Sequence, residues 1–192
     1  YNLDPYIYVN NGATYYVNKD NKKIYTSYDG TTYSNEINSI TVTSRGGYDY
    51  YGAYDTNAES GGTQYINADG TFTDAARNIK NNITIYNRYL IALATNLKFD
   101  VRYSATSEYA SVYMTWEAYY PKSTYGINSW IVTLYKDGTQ IVSQEIDASV
   151  YELYNETLSR TAGTYYFTVR GISDQTVGQT ISTSKSADRV AY

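Results

Sequence analysis

Oxygen-bearing side chains occupy alternate positions at Asp55, Asn57 and Glu59, and Gly61 and Gly62 follow them. Calcium-binding loops use such spacing because a hard cation needs several oxygen ligands. Compared with an EF-hand loop, the glycine is displaced from its turn position and the closing glutamate is missing. The segment therefore has two interpretations, a calcium loop and a solvated polar loop. We favour the polar loop, and we predict no other metal and no cofactor.

The residue types used most often in catalysis are missing from this chain, which has neither His nor Cys. Without His, a Ser-His-Asp triad, a histidine metal site and an imidazole pH switch are excluded. Without Cys, thiol catalysis and disulfides are excluded. The carboxylates are scattered, and only a pair brought together by folding could act as in a glycosidase. We therefore predict that the chain is not an enzyme.

Two segments match the N-glycosylation pattern, Asn82-Ile83-Thr84 and Asn155-Glu156-Thr157. In a chain rich in Asn and Thr, two matches are near chance. Asn82 and Asn155 are candidates for carrying covalent glycans in a host that glycosylates, and unmodified asparagines are the alternative.

Tyrosine is the unusual residue, with 27 copies in 192 residues. Four of them, Tyr48, Tyr50, Tyr51 and Tyr54, lie in the segment 44–63, which has no Ile, Leu or Val. That composition predicts a long surface loop. Exposed aromatic rings on a loop stack on sugars and anchor protein partners, so these tyrosines form a candidate binding surface. The alternative is that Tyr covers sheet surfaces throughout the chain.

The alternation of apolar and other side chains along the sequence predicts the strands that position these residues. Three segments of the second half alternate between large apolar residues and other residues, namely Val112-Tyr-Met-Thr-Trp116, Trp130-Ile-Val-Thr-Leu134 and Tyr165-Tyr-Phe-Thr-Val169. A period of two indicates strands with one buried face. Asp137-Gly138 between two strands indicates a tight hairpin turn, because both residues tolerate a positive φ. Such strands predict a β-sandwich.

The second half also resembles a fibronectin type III domain. The matching features are the Trp116 strand followed by Pro121, the Trp130 strand, and the run Gly163-Thr-Tyr165-x-Phe167. The ending Gly178-Gln179-x-Ile181-Ser182 is similar to the last loop and strand of that family. The resemblance implies an immunoglobulin-like sandwich that serves as a spacer or binding module.

Short alternating segments and polar turns also fill the first half. The first thirty residues predict a β-meander, Ile37–Thr43 predicts a strand, and Asp74–Ile79 predicts one short helix capped by Thr73. We place the domain boundary near Asn96. The predicted fold is all-β, with two β-sandwich domains in tandem at residues 1–96 and 97–192.

Charge and hydropathy bear on the partners and the compartment. Charged residues make up 18% of the chain and the net charge is −4, so no basic face for nucleic acid is expected. The longest aliphatic run, Leu90–Ala94, is too short to span a membrane. The chain begins at Tyr1, which indicates either a removed signal peptide, and hence an extracellular protein, or a fragment. We favour secretion.

Two functions fit these features. The composition is similar to that of secreted pilus and thread subunits of thermophilic archaea, which implies a cell-surface filament. Such subunits join head to tail by donor-strand complementation, in which a terminal strand completes the sheet of a neighbouring copy. The predicted donor is Tyr6, Ile7, Tyr8 and Val9, with Ile7 and Val9 inserted. The alternative is that this segment is the first strand of its own domain. The second function is a secreted adhesin or carbohydrate-binding module.

Overall fold

The chain consists of two compact units, Tyr1–Leu90 and Ile91–Tyr192. The computed structural model describes residues 4–103, 109–159, 163–173 and 180–191. The division between the units falls before Asn96, which lies inside a strand. Gly178 and Gln179, part of the predicted last loop, lie outside the described residues.

The first unit is built on one mixed sheet. Its elements are β1 (Tyr6–Val9), β2 (Thr14–Val17), β3 (Ile24–Tyr28), β4 (Tyr33–Ile37), β5 (Tyr48–Tyr54), β6 (Gln64–Ile66), α1 (Asp74–Arg77) and β7 (Ile83–Ile91). In the described residues, the strand order is β4-β3-β2-β1-β7-β5-β6. The first three strands form the meander predicted for the first thirty residues, β4 extends it, and β1 runs parallel to β7.

The core of the first unit lies on one face of this sheet. In β1, Ile7 and Val9 are buried while Tyr6 and Tyr8 are exposed, as expected for a period of two. The buried cluster comprises Ile7, Val9, Val17, Ile24, Ala53, Ile66, Phe72, Ala76, Ile79 and Ile85. The short helix is present as predicted, and Thr73 Oγ1 accepts a hydrogen bond from Ala76 N at 3.3 Å.

The predicted donor segment, Tyr6–Val9, forms a central strand of its own sheet. Ile7 pairs with Tyr15 on one side and with Ile83 on the other. Val9 N donates to Ala13 O at 2.8 Å, which closes a short hairpin to β2. This position is the one expected from the alternative interpretation, in which the segment belongs to its own domain.

Two local predictions in the first half are wrong. The segment 44–63 is not one long loop, because β5 occupies Tyr48–Tyr54 inside the sheet. The predicted strand at Ile37–Thr43 is also absent, since β4 ends at Ile37 and only Ser39 forms an isolated bridge. The first error concerns a segment without Ile, Leu or Val to mark a strand. The second concerns a segment in which Ile40 and Val42 do alternate, although no strand forms beyond Ile37.

The second unit is a sandwich of two sheets. Its elements are β8 (Ala94–Tyr103), β9 (Tyr109–Ala118), α2 (Lys122–Tyr125), β10 (Ile127–Lys136), β11 (Thr139–Asp147), β12 (Glu152–Ser159), β13 (Gly163–Ser173), β14 (Ser184–Lys185) and β15 (Arg189–Ala191). In the described residues, one sheet has the order β12-β9-β8 and the other has the order β11-β10-β13-β14, with β15 also paired to β13.

The facing sides of these sheets carry the residues that the sequence predicts. Among them, Met114, Trp130, Val132 and Phe167 are fully buried. The Trp116 and Trp130 rings meet edge to face, with centroids 6.5 Å apart and an interplanar angle of 70°. The all-β class is therefore confirmed, and the second unit is a β-sandwich.

The predicted hairpin turn between β10 and β11 is confirmed. Asp137 and Gly138 have φ values of 49° and 78°, as a type I′ turn requires. The turn is also tied to β13, because Thr164 N donates to Asp137 Oδ1 at 2.9 Å. The hairpin therefore sets the register of the first pairs, Lys136 with Thr139 and Tyr135 with Gln140, before the register shifts at Ile141.

We expect Phe167→Ala to destabilise the second unit by about 3–5 kcal/mol, because it leaves a cavity between the sheets. The neighbouring change Thr168→Ala is the matched control, since that side chain faces away from the core. Urea unfolding followed by tryptophan fluorescence measures this unit alone, because both tryptophans belong to it. Equal losses for the two variants would contradict the assigned inner face.

Candidate functional site

The four tyrosines of the predicted binding loop do not form one exposed cluster. Tyr48, Tyr50, Tyr51 and Tyr54 are half-buried in β5. The guanidinium carbon of Arg88 lies 3.4 Å from the Tyr54 ring centroid, in cation–π geometry. These tyrosines therefore have different surroundings, and only Tyr50 lines a cleft.

That cleft lies in the first unit and has a volume of about 590 Å³. Its floor and walls come from β2, β3, β5 and β7 and from the segment 40–43. The lining residues with aromatic or polar side chains include Tyr15, Thr26, Thr43, Tyr50, Asn87 and Tyr89. The volume is within the range of about 300–1,000 Å³ that is typical of ligand sites.

Hydrogen bonds and burial hold the aromatic side chains of the cleft in place. Tyr50 OH donates to Asn87 Oδ1 at 2.9 Å, and Tyr89 OH donates to Thr43 O at 2.8 Å. The Tyr50 and Tyr89 ring centroids are 5.1 Å apart. Burial raises the pKa of Tyr15, and burial together with the neighbouring tyrosines raises the pKa of Tyr50. Both phenols are therefore neutral at physiological pH.

Most of this cleft is missing from the sequence-based prediction, which includes Tyr50 alone. Tyr15 lies far along the chain from Asn87 and Tyr89, and it meets them because β1 pairs with β2 on one side and in parallel with β7 on the other. Alternation does place each of them on a face of its strand. It cannot show which strands become neighbours in the sheet.

The sequon residue Asn82 lies beside a groove on the first unit. This groove is lined by Tyr6, Tyr8, Tyr16 and Thr84, among others. Asn82 is exposed, and its Oδ1 accepts a hydrogen bond from Tyr6 N at 3.1 Å. A glycan attaches through the amide nitrogen, so this bond is compatible with glycosylation at Asn82, which stays a prediction.

The second sequon has different surroundings. Asn155 is half-buried within β12 and pairs with Val112 of β9. Its occupancy by a glycan also stays a prediction.

The calcium hypothesis rests on Asp55, Asn57 and Glu59. Asp55 Oδ1 accepts a hydrogen bond from Thr63 N at 2.8 Å, so the carboxylate binds its own loop. Among the described residues, no group of three or more Asp, Glu, His or Cys side chains is arranged to hold a metal ion.

A second feature that could form contacts is the edge strand β11 in the second unit. Among the described strands, β11 pairs only with β10. It has nine residues, and its sequence contains neither Pro nor Lys, two residues that commonly block edge strands. It does carry Glu145 and Asp147, and its pairing with β10 shifts register at Ile141. Most of its side chains are exposed, including Ile141 at 37%. Its outer edge therefore offers backbone groups to which another strand could bond.

Neither feature supplies catalytic groups, and together with the fold they define a class: an all-β chain with an uncharged cleft and an open sheet edge.

No family model and no curated protein matches the chain. One similar solved structure is a redesigned β-sandwich protein, with TM-score 0.38 and 14% identity, over 53% of this chain and 95% of that chain. Another is domains d3–d4 of the rat CD45 extracellular region, with TM-score 0.37 and 13% identity, over 86% of this chain and 76% of that one. These likenesses are distant, and the fold class follows from the strand order and the core.

The helices among the described residues are short, and none is long and apolar enough to cross a membrane.

We expect the unfolding midpoint to stay nearly constant between about pH 5 and about pH 9, because the chain has no His or Cys to titrate there. Hydrogen bonds from Thr32 N and Thr31 N lower the pKa of Asp29, and bonds from Thr71 lower the pKa of Asp69. A carboxyl group whose pKa is lower in the folded chain than in the unfolded chain stabilises the fold at pH values above the unfolded pKa. The stability should therefore fall as the pH drops below about 4.

At high pH the groups that titrate have pKa values that folding raises rather than lowers. Tyrosines such as Tyr50 have a raised pKa, so the unfolded chain loses these protons first and stability should fall above about pH 10. Circular dichroism melting curves at a series of pH values measure both limits. A steep loss between neutral pH and about pH 5 would contradict this assignment.

Proposed function

We propose that the chain is a structural subunit of an extracellular filament and joins to copies of itself by strand pairing. The observation that supports this most directly is the exposed edge of β11, which among the described strands pairs only with β10. Pairing of β11 with a different strand of the next copy is a head-to-tail contact, which produces an open filament when the rotation between copies does not close a ring. Pairing of β11 with β11 would instead give a closed dimer. The low charge and tyrosine-rich composition, similar to those of archaeal pilus and thread subunits, also fit this function.

Two routes of strand pairing have different energetic requirements. Donor-strand complementation by Tyr6–Val9 requires β1 to leave its place between β2 and β7. That step breaks hydrogen bonds on both sides and exposes Ile7 and Val9, which are buried. Addition of a strand to β11 breaks no pairing of the folded chain. We therefore favour addition at β11 and retain exchange of β1 as the alternative.

Catalysis is not part of this proposal. The described residues that line the cleft of the first unit include no Asp, Glu, Lys or Arg. General acid–base chemistry in this cleft would have only neutral tyrosines available. A binding or structural role therefore agrees better with the chemistry of the chain.

We expect Ile141→Lys to inhibit self-assembly, because a lysine on an edge strand disfavours pairing with a second strand. The concentration needed for assembly should rise by about tenfold, which corresponds to about 1.4 kcal/mol. Ile172→Lys is the matched control, because Ile172 has nearly the same exposure, 36%, but lies on the interior strand β13. Light scattering and negative-stain electron microscopy measure the assembly. A wild-type chain that stays monomeric, or equal inhibition by both variants, would contradict addition at β11.

A disulfide lock distinguishes the two routes. Tyr8 and Thr14 face each other across β1 and β2, and the chain has no cysteine of its own. In the double variant Tyr8→Cys with Thr14→Cys, oxidation fixes β1 to β2, and reduction is the internal control. Assembly that is the same in both redox states supports addition at β11. Assembly that occurs only after reduction would instead show that β1 must leave its sheet.

A further inference from the structure

The cleft of the first unit has a chemistry of its own that strand pairing at β11 does not use. None of the described residues that line it carries a charge. The lining itself therefore provides no cation for a phosphate or carboxylate, and no carboxylate for a metal ion or an ammonium group. The Arg45 guanidinium carbon lies 5.7 Å from the Tyr89 ring centroid, but Arg45 is not among the lining residues. A ligand that contacts only the lining is expected to be neutral.

The lining also combines apolar and polar groups in a particular way. Tyr15, Tyr50 and Tyr89 present aromatic rings, and Asn87 and Thr43 add an amide and a hydroxyl. A sugar ring has the complementary pattern, since its C–H face packs on an aromatic ring and its hydroxyls bond to amides and hydroxyls. Hydrogen bonds to Asn87 Oδ1 and Thr43 O already hold the Tyr50 and Tyr89 rings in place. Binding of a ligand therefore costs little conformational entropy in these two side chains.

A peptide strand fits this cleft less well. Strand addition needs the open edge of a sheet, and the edges of this sheet are β4 and β6. Apart from Ile37 at the end of β4, the strand residues that line the cleft belong to β2, β3, β5 and β7, whose backbones already pair with neighbouring strands. We propose that this cleft binds a neutral saccharide, with the Tyr50 and Tyr89 rings as the stacking surface and Asn87 and the cleft threonines as hydroxyl partners.

Isothermal titration of the full chain with cellotriose, maltotriose and chitotriose tests the proposal, and trigalacturonate serves as the acidic comparator. We expect at least one neutral trisaccharide to bind and the acidic one to bind at least about tenfold more weakly. Absence of heat for every neutral sugar at about 10 mM would overturn the proposal, as would stronger binding of the acidic one.

Two variants locate the site. Thr26→Trp fills the cleft from an exposed position without removing any contact, and Ser27→Trp is its matched control on the opposite face of β3. Tyr89→Ala removes a stacking ring, and Tyr8→Ala removes an exposed tyrosine that lines a different groove. We expect Thr26→Trp and Tyr89→Ala to weaken binding by at least about tenfold and the controls to leave it unchanged.

Sugar binding that survives Thr26→Trp would overturn this site, whatever Tyr89→Ala does to folding. Self-assembly is measured separately, so loss of the saccharide proposal leaves the filament proposal unaffected, and the reverse is also true.

Discussion

Burial of one face of every strand is the constraint on which both units depend. In the second unit, this constraint brings Trp116 and Trp130 into edge-to-face contact between the two sheets. It also requires a glycine at Gly171, where a Cβ would lie 2.8 Å from Leu93 Cδ1. Because the side-chain period is two, a slip of one residue would move each buried face to the surface. The register of the strands is therefore specified by packing as much as by turns.

Tyrosine covers much of the surface that this burial leaves outside. Tyr28 and Tyr33 stack with ring centroids 4.1 Å apart, and Tyr135 and Tyr166 stack at 4.7 Å. Such pairs add apolar contact, and in the first pair the hydroxyls donate hydrogen bonds to Gly30 O and to the Asp4 carboxylate. Exposed ion pairs add little stability, because water screens the attraction between the charges. In the Arg102–Asp100 pair, for example, the Arg102 side chain is 76% exposed and the Asp100 side chain is 40% exposed. Contacts between tyrosine rings therefore stabilise the surface of this chain more than ion pairs do.

Local patterns in the sequence predict the parts of the structure that are decided locally. The inward faces around Trp130, the positive φ values at Asp137 and the capping role of Thr73 all follow from a few neighbouring residues. Pairing between strands that are distant in the sequence is not decided by neighbouring residues. The position of Tyr6–Val9 beside β7 depends on a partner at the other end of the unit, and the cleft depends on that same pairing. The strand at Tyr48–Tyr54 was missed because it has no aliphatic residue to mark its period.

The two candidate surfaces use different parts of a sheet, and this difference explains how one chain could serve two purposes. A sheet edge offers backbone N–H and C=O groups, which recognise any extended strand and favour repeated self-contact. A sheet face offers only side chains, which recognise a ligand by its shape and polarity. The edge of β11 contributes the first kind of surface, and Tyr50, Asn87 and Tyr89 contribute the second. The proposed edge contact therefore uses backbone groups of the second unit, and the proposed saccharide site uses side chains of the first unit, so neither proposal requires the chemical groups of the other.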